Sequence, residues 1–207
     1  MDLVVDIQFV KTGKRRFGPK EVAVVTLNGC NTAHWLVLPA VRVQELDEDT
    51  RKENNWLRLN HHGLDYFDGE ISVNQLCKVL QRVLEKAGKI YVRGREKRDY
   101  LQKITTREII NLEYDAACPA FDKLLADEYC LHHTLNTAFN RLYCALNNVY
   151  RLKFWLSAIG SCDNQIKKDN GQSPNTENSC ENPNPYCRCI PGRSDTPSVD
   201  ETDCVRS

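Results

Sequence analysis

Cys130, His132, His133 and Cys144 stand within one short run, CLHHTLNTAFNRLYC, and are the residues in this chain whose types and spacing most directly suggest chemistry. Cys130 and His133 form a Cys-x2-His pair, a spacing at which a thiolate and an imidazole reach one zinc ion, whose small tetrahedral shell favours sulfur and nitrogen. Cys144 follows after one longer gap and closes over the pair from a helix. That makes three ligands, and a fourth must come from elsewhere. His132 is read as solvent-facing. The plain alternative is a set of packing thiols and a surface histidine, which is the common fate of isolated Cys and His.

The elements that must position these residues follow from the patterning. Leu3–Val10 reads as a buried strand, with Asp6 and Gln8 on the face opposite their apolar neighbours. Lys11–Lys20 reads as a basic, solvated turn closed by Gly18-Pro19. Glu21–Leu27 is a second strand ended by Asn28-Gly29, a hairpin signal, and Thr32–Leu38 is a third, stopped at Pro39. These three strands make an antiparallel meander. Residues 40–70 are polar and predict an irregular segment, with His61 and His62 in a loop. Ser72 with Gln75 forms a capping box for a helix whose stripe is Leu76, Val79, Leu80, Val83, Leu84 and Ala87. Lys89–Val92 is a short strand, parallel because a helix precedes it. A charged helix over 95–104, a strand at Glu108–Leu112, a short helix opening at Cys118-Pro119 and a long helix over about 137–159, stopped by Gly160, complete the order.

The charge totals divide the chain in two. Acidic and basic residues balance at 28 each, yet residues 161–207 hold eight acids against five bases, leaving a mild basic excess before them. Residues 161–207 are rich in Asn, Ser, Pro, Asp and Glu and poor in large apolar residues, so they are expected to be a disordered, acidic, cysteine-bearing tail after a domain at 1–160. The N-terminal MDLVVDIQFVKTG starts acidic and lacks a signal-peptide apolar core, and no stretch has the length of a membrane span. The ten cysteines are therefore expected in a reducing compartment, cytosol or nucleus, as metal ligands or packing residues. Arg93, Arg95, Lys97 and Arg98, with Lys89 and Lys103, cluster around one strand and helix. Such side chains contact phosphates without reading sequence, and the alternative is a solvated face balanced by Glu96 and Asp99.

Three antiparallel strands followed by helix-linked parallel strands give an α/β mixed sheet flanked by helices, and this order resembles the ribonuclease H-like fold. Within it, the proofreading-type (DEDD) exonucleases carry Asp-x-Glu on the first strand, where this chain has Asp6 and Gln8. The middle Asp of that family is matched by Asp99, the histidine of the last helix by Tyr143 and its aspartate by Asn148. Gln8 and Asn148 are neutral and Tyr143 is a weak base, whereas two-metal hydrolysis needs several anionic oxygens. Exonuclease activity of that type is not expected.

The chain more closely resembles the Maelstrom domain, a branch of this fold that lacks the exonuclease acids and has a Glu-Cys-His-Cys zinc set. Cys130-x2-His133 followed by Cys144-Ala145-Leu146 carries the resemblance, which covers about residues 1–160; the early glutamate it implies is Glu21. Maelstrom proteins usually begin with an HMG box, and the expectation here is the domain without one. The resemblance implies a structural Zn²⁺ on Glu21, Cys130, His133 and Cys144, binding of single-stranded RNA, and a place among proteins of small-RNA (piRNA) silencing of transposons. Two other functions compete with it. One is an active single-stranded RNA nuclease using Asp6, Asp99 and Glu113 or Asp115; the other is a protein-interaction scaffold working through the tail.

Overall fold

A period-two alternation in the first two strands decides the architecture, because it supplies both faces of one sheet with apolar side chains. In the computed structural model, which describes residues 1–125, 130–133 and 142–169 (of 161–169 the backbone alone), the elements are β1 (Leu3–Gly13), β2 (Arg16–Thr26), β3 (Thr32–Leu38), α1 (Glu48–Asn60), β4 (Ile71–Ser72), α2 (Val73–Leu84), β5 (Lys89–Val92), α3 (Arg95–Leu101), β6 (Glu108–Asn111), α4 (Leu112–Asp115) and α5 (Ala145–Asp169). The six strands form one mixed sheet in the order β4-β3-β2-β1-β5-β6. β1 pairs antiparallel with β2, and β2 with β3, whereas β5 joins β1 and β6 joins β5 in parallel. A central strand packed on both faces reads as a nearly continuous apolar run, which is the case for LVVDIQFV.

Leu3, Val5 and Ile7 of β1, with Val22 and Val24 of β2, pack against Leu76, Leu80 and Leu84 of α2 and against Leu101 of α3. Full burial of each such leucine contributes about 1.5–3 kcal/mol. Val4, Ala23 and Val25 point to the other face, where Val149, Leu152 and Trp155 of α5 cover them. Asp6, Gln8 and Glu21 share the alternation of this second set, so three polar groups are carried into the layer beneath α5.

The expected α/β mixed sheet flanked by helices is present, and several local expectations need correction. Residues 40–70 are not irregular throughout: Glu48–Asn60 form a helix, and the segments on either side of it, His61 and His62 included, are loop and turn. Asp47 caps α1, accepting from the Thr50 amide at 2.8 Å, and the helix turns polar Thr50 and Asn54 inward while Trp56 and Leu59 stay exposed. An apolar stripe is the usual signature of a helix, and this one lacks it. Lys11–Lys20 is mostly strand rather than turn: β1 and β2 run on to a tight turn in which Arg15 has φ of 61°. Lys20, expected in solvent, is fully buried.

β6 ends at Asn111 and Leu112 opens the single turn α4, while α3 ends at Leu101 and a 3₁₀ turn at Phe121–Lys123 replaces the helix expected at Cys118. The last helix begins at Ala145, and the expected start at 137 lies outside the described residues. Gly160 does not stop α5, which continues to Asp169 and so passes the expected domain boundary. A glycine inside a helix costs only about 1 kcal/mol relative to alanine and ends it only when the chain also turns left-handed. The rest of the expected tail, 170–207, lies outside the described residues. Cys30, Cys77, Cys118, Cys130 and Cys144 are free thiols, and no helix among the described residues is long and apolar enough to cross a membrane.

Candidate metal centre

Glu21 lies on β2 opposite Gln8 of β1 on one side and Leu36 of β3 on the other, and its side chain is directed under the first turn of α5. There its Oε2 accepts the Ala145 amide at 2.9 Å, satisfying one of the four N–H groups that every helix start leaves open. Cys144, the residue before the helix, is thereby held over the sheet, with its Sγ 3.6 Å from Glu21 Oε1. The turn Cys130–His133 closes with a 3.0 Å bond from the His133 amide to the Cys130 carbonyl. That turn puts His133 Nδ1 3.2 Å from Cys130 Sγ and 3.8 Å from Glu21 Oε1.

Glu21, Cys130, His133 and Cys144 thus meet as one buried group, their ligand atoms all within 4.8 Å of one another, and this group can hold a metal ion. It is the only such group of three or more His, Cys, Asp or Glu residues among the described residues.

His133 Nε2 lies 2.7 Å from the carbonyl oxygen of His62, which is an acceptor only. Nε2 therefore carries a proton, and Nδ1 is the nitrogen turned to Cys130 and Glu21, the one that would bind a metal ion on losing any proton it holds. A carbonyl behind a ligating imidazole is the usual means of fixing ring and tautomer. His34 of β3 bonds Glu21 Oε1 at 2.7 Å, a second partner behind a ligand.

The electrostatics agree with this donor set. Burial opposes ionisation of Glu21, but the His34 hydrogen bond, the charges of His133 and His34 and the Ala145 amide outweigh it and hold the carboxyl below its ordinary value. The hydrogen bond from Cys144, against burial and together with His133, pulls the Cys130 thiol well below its ordinary value. The same bond, with burial, pushes Cys144 up, so of the pair Cys130 gives up its proton more readily. A metal ion held here would take the place of the proton between them, because a thiolate is the ligand form. His133 and His34 are opposed by burial but raised overall, by Cys130 and Glu21 respectively.

His34 and His62 are the two supporting residues that sequence reasoning missed. His62 carries no spacing signal toward Cys130, and it acts through its backbone. His132 is outward-facing as expected, 3.6 Å from Glu70 and ring to ring with His34 at 5.4 Å. His61, read as a loop residue, lies against the Tyr143 ring at 3.7 Å between centroids.

The positions matched to exonuclease acids divide. Asp6, Gln8 and Asn148 do come together: Asp6 Oδ2 accepts from Gln8 Nε2 at 3.1 Å and from Asn148 Nδ2 at 3.0 Å. Asp99 does not join them and is paired with Arg98 at 3.0 Å and Arg95 at 3.5 Å. Glu113 pairs with Arg93 at 3.3 Å, and Asp115 accepts the Asn111 amide at 2.8 Å. Among the basic residues, Lys97 is bonded to Asp6 within the layer, whereas Arg95 is the most exposed of the four, its side chain 74% accessible.

No protein-family model matches this chain, and neither a curated protein nor a solved structure matches it.

Proposed function

We propose that this chain is a Maelstrom-like module: a ribonuclease H-like domain that holds a structural zinc ion and binds single-stranded RNA in small-RNA (piRNA) silencing of transposons. The observation that carries the proposal is the convergence of Glu21, Cys130, His133 and Cys144 from a strand, a short turn and a helix start. Those are the residue types, in chain order, that the resemblance implies. Two sulfurs, one imidazole nitrogen and one carboxylate oxygen suit zinc better than magnesium or calcium, which favour oxygen alone. Bond lengths of about 2.0–2.3 Å from zinc set the edges of its tetrahedron at about 3.3–3.8 Å. The separations of 3.2, 3.6 and 3.8 Å already lie near that range.

Four protein ligands leave no coordination position for a reacting water, so the role is structural. The ion would tie β2 to the residue entering α5, adding to the Glu21 hydrogen bonds and to the apolar packing of α5 on β2. The meander β1-β2-β3, with β5 and β6 added in parallel beside β1, supports the ribonuclease H-like reading. The RNA component rests on the resemblance and on the basic residues of α3. Arg95 and Arg98, now paired with Asp99, would exchange that partner for phosphate oxygens, and Arg93 would leave Glu113 in the same way.

The test has two arms on the full chain. Zinc per chain is measured in the wild type and in Cys130→Ser and Glu21→Gln; one equivalent in the wild type and loss in Cys130→Ser supports the centre, and a zinc-free wild type rejects it. Gel shift with single-stranded RNA at two salt concentrations should show binding that weakens with salt and is reduced in Arg95→Glu/Arg98→Glu. Binding to neither RNA nor zinc would remove the Maelstrom-like reading altogether.

A further inference from the structure

The layer beneath α5 contains a second cluster that the zinc reading does not use. Asp6 is completely buried in β1, and donors reach both of its oxygens. Gln8 Nε2 and Asn148 Nδ2 bond Oδ2 at 3.1 and 3.0 Å, and the Lys97 ammonium bonds Oδ1. Asn148 Oδ1 in turn accepts from Arg151 Nη1 at 3.2 Å. Asp6 is the carboxylate of this group and Lys97 the cation bonded to it, with the Arg151 guanidinium one hydrogen bond further out. Divalent ions such as Mg²⁺ and Mn²⁺ are held by oxygen ligands, and a two-metal site holds two of them about 4 Å apart among several carboxylates. Here both oxygens of the carboxylate are filled, and the Lys97 ammonium already balances its charge.

Lys97 reaches this place by construction. Gly94, with φ of 116°, turns the chain out of β5, and its amide is fixed by Asn111 Oδ1 at 3.0 Å, so α3 starts at the end of β5 and β6. A side chain at Gly94 would have to adopt a left-handed conformation that only glycine takes readily. From the first turn of α3 the Lys97 ammonium also lies over the Phe121 ring, 5.3 Å from its centroid, and the side chain is only 15% exposed. A surface lysine held by one carboxylate swings between solvent and partner; this one has an aromatic face on one side and a buried carboxylate on the other.

We propose that Lys97 holds the cation seat of the Asp6 carboxylate in place of a divalent metal ion, making the centre of the sheet a fixed ion pair that Mg²⁺ and Mn²⁺ do not enter. The inference does not rest on the zinc or RNA readings, since it concerns different residues and a different class of cation. It has a functional consequence: any RNA cleavage by this chain would not run through a divalent ion at Asp6. It also makes a reversible prediction about one side chain, because removing the ammonium and supplying a second carboxylate should convert the seat into a metal site.

The experiment compares wild type, Lys97→Glu, Lys97→Ala and the double variant Asp6→Asn/Lys97→Glu, all zinc-loaded, with and without Mn²⁺. In the wild type, Mn²⁺ should leave the thermal midpoint unchanged, and Mn²⁺ paramagnetic resonance should find no bound ion that depends on Asp6. Lys97→Glu places two carboxylates together and should unfold early or fail to fold without the ion. At about ten times the dissociation constant, Mn²⁺ should raise its midpoint by about 3–6 °C and bind once per chain. Lys97→Ala should respond more weakly, and Asp6→Asn/Lys97→Glu should not respond. Mn²⁺ bound to wild type and lost in Asp6→Asn overturns the proposal. So does a Lys97→Glu protein that gains no order or stability from Mn²⁺, whether it is folded or unfolded at the outset.

Discussion

The ring of His133 is locked to the backbone of His62, 2.7 Å from Nε2 to the carbonyl oxygen, across 71 positions of sequence. His62 is itself fixed: its Nδ1 accepts the Leu64 amide at 3.1 Å, and burial holds its imidazole down to about 3, so it is neutral at physiological pH. The loop after α1 therefore aims a candidate ligand that belongs to the turn at 130–133.

Replacing the His62 side chain should weaken the metal centre without touching a ligand. His62→Ala keeps the carbonyl but releases the loop that points it, and loss of such an outer partner typically costs 10–100-fold in metal affinity. Competition for Zn²⁺ against a chromophoric chelator should show a loss of about tenfold or more, with one zinc still bound at saturation. An unchanged affinity would mean that His133 is oriented by its own turn alone.

Cys144→Ser should unfold the domain instead of merely emptying the site. Structural zinc in small domains supplies an apparent binding free energy of about 10–16 kcal/mol, while whole domains are stable by about 5–15 kcal/mol. Cys144 is fully buried where α5 meets Glu21, so a serine there would remove one of the four proposed ligands and add a buried hydroxyl. Circular dichroism and zinc content on the same sample should fall together. A serine variant that keeps its full melting temperature and binds as much zinc would rule out a structural role.

Asn54 gives a stability prediction away from the metal. Its side chain acts as a substitute strand for β1, donating from Nδ2 to the Lys11 carbonyl and accepting from the Lys11 amide, both at 2.8 Å. β5 pairs with β1 at Leu3 and Val4, and among the described residues no strand pairs with the outer half of β1 on that side. Asn54→Ala opens both groups and should destabilise by about 1–3 kcal/mol in urea denaturation. Asn54→Asp can accept but not donate, so it should recover part of the loss only. Zinc content should stay at wild-type level in both.

How far the sequence was readable follows from what each signal measures. Hydrophobic periodicity and turn residues located β1, β2, β3, α2 and β5, because those elements bury alternating or striped apolar sets. α1 was missed because its inward residues, Thr50 and Asn54, are polar and its exposed ones include Trp56 and Leu59, the reverse of an amphipathic signature. The candidate ligands Cys130, His133 and Cys144 stand close in the chain and could be grouped by spacing, whereas Glu21 needed a resemblance, and the structure brings all four together. Lys97 was read as a phosphate-facing cation because charge in a sequence carries no direction; only the turn at Gly94 and the placement of α3 send it inward to Asp6.

Lys20 yields a pH dependence whose sign can be worked out. Its buried ammonium donates to the carbonyls of Tyr66, at 3.0 Å, and Asp68, pinning that loop to β2. Burial, against the nearby Asp68 and Asp65, lowers it to about 8 from an ordinary 10.5. Below pH 8 the folded and unfolded chains both hold this proton, and the burial penalty is fully present. Between about pH 8 and 10.5 the unfolded chain holds more of it, so folding stability rises with pH across that window through this group, by no more than about 1.4 kcal/mol per pH unit. Lys20→Met removes the titrating group while keeping most of the buried volume. The difference in unfolding free energy between wild type and Lys20→Met should therefore shift in favour of the wild type as pH goes from 8 to 10.5, and should stay flat from 6 to 7.5. A flat difference across the whole range would show that the ammonium is not held in this buried state.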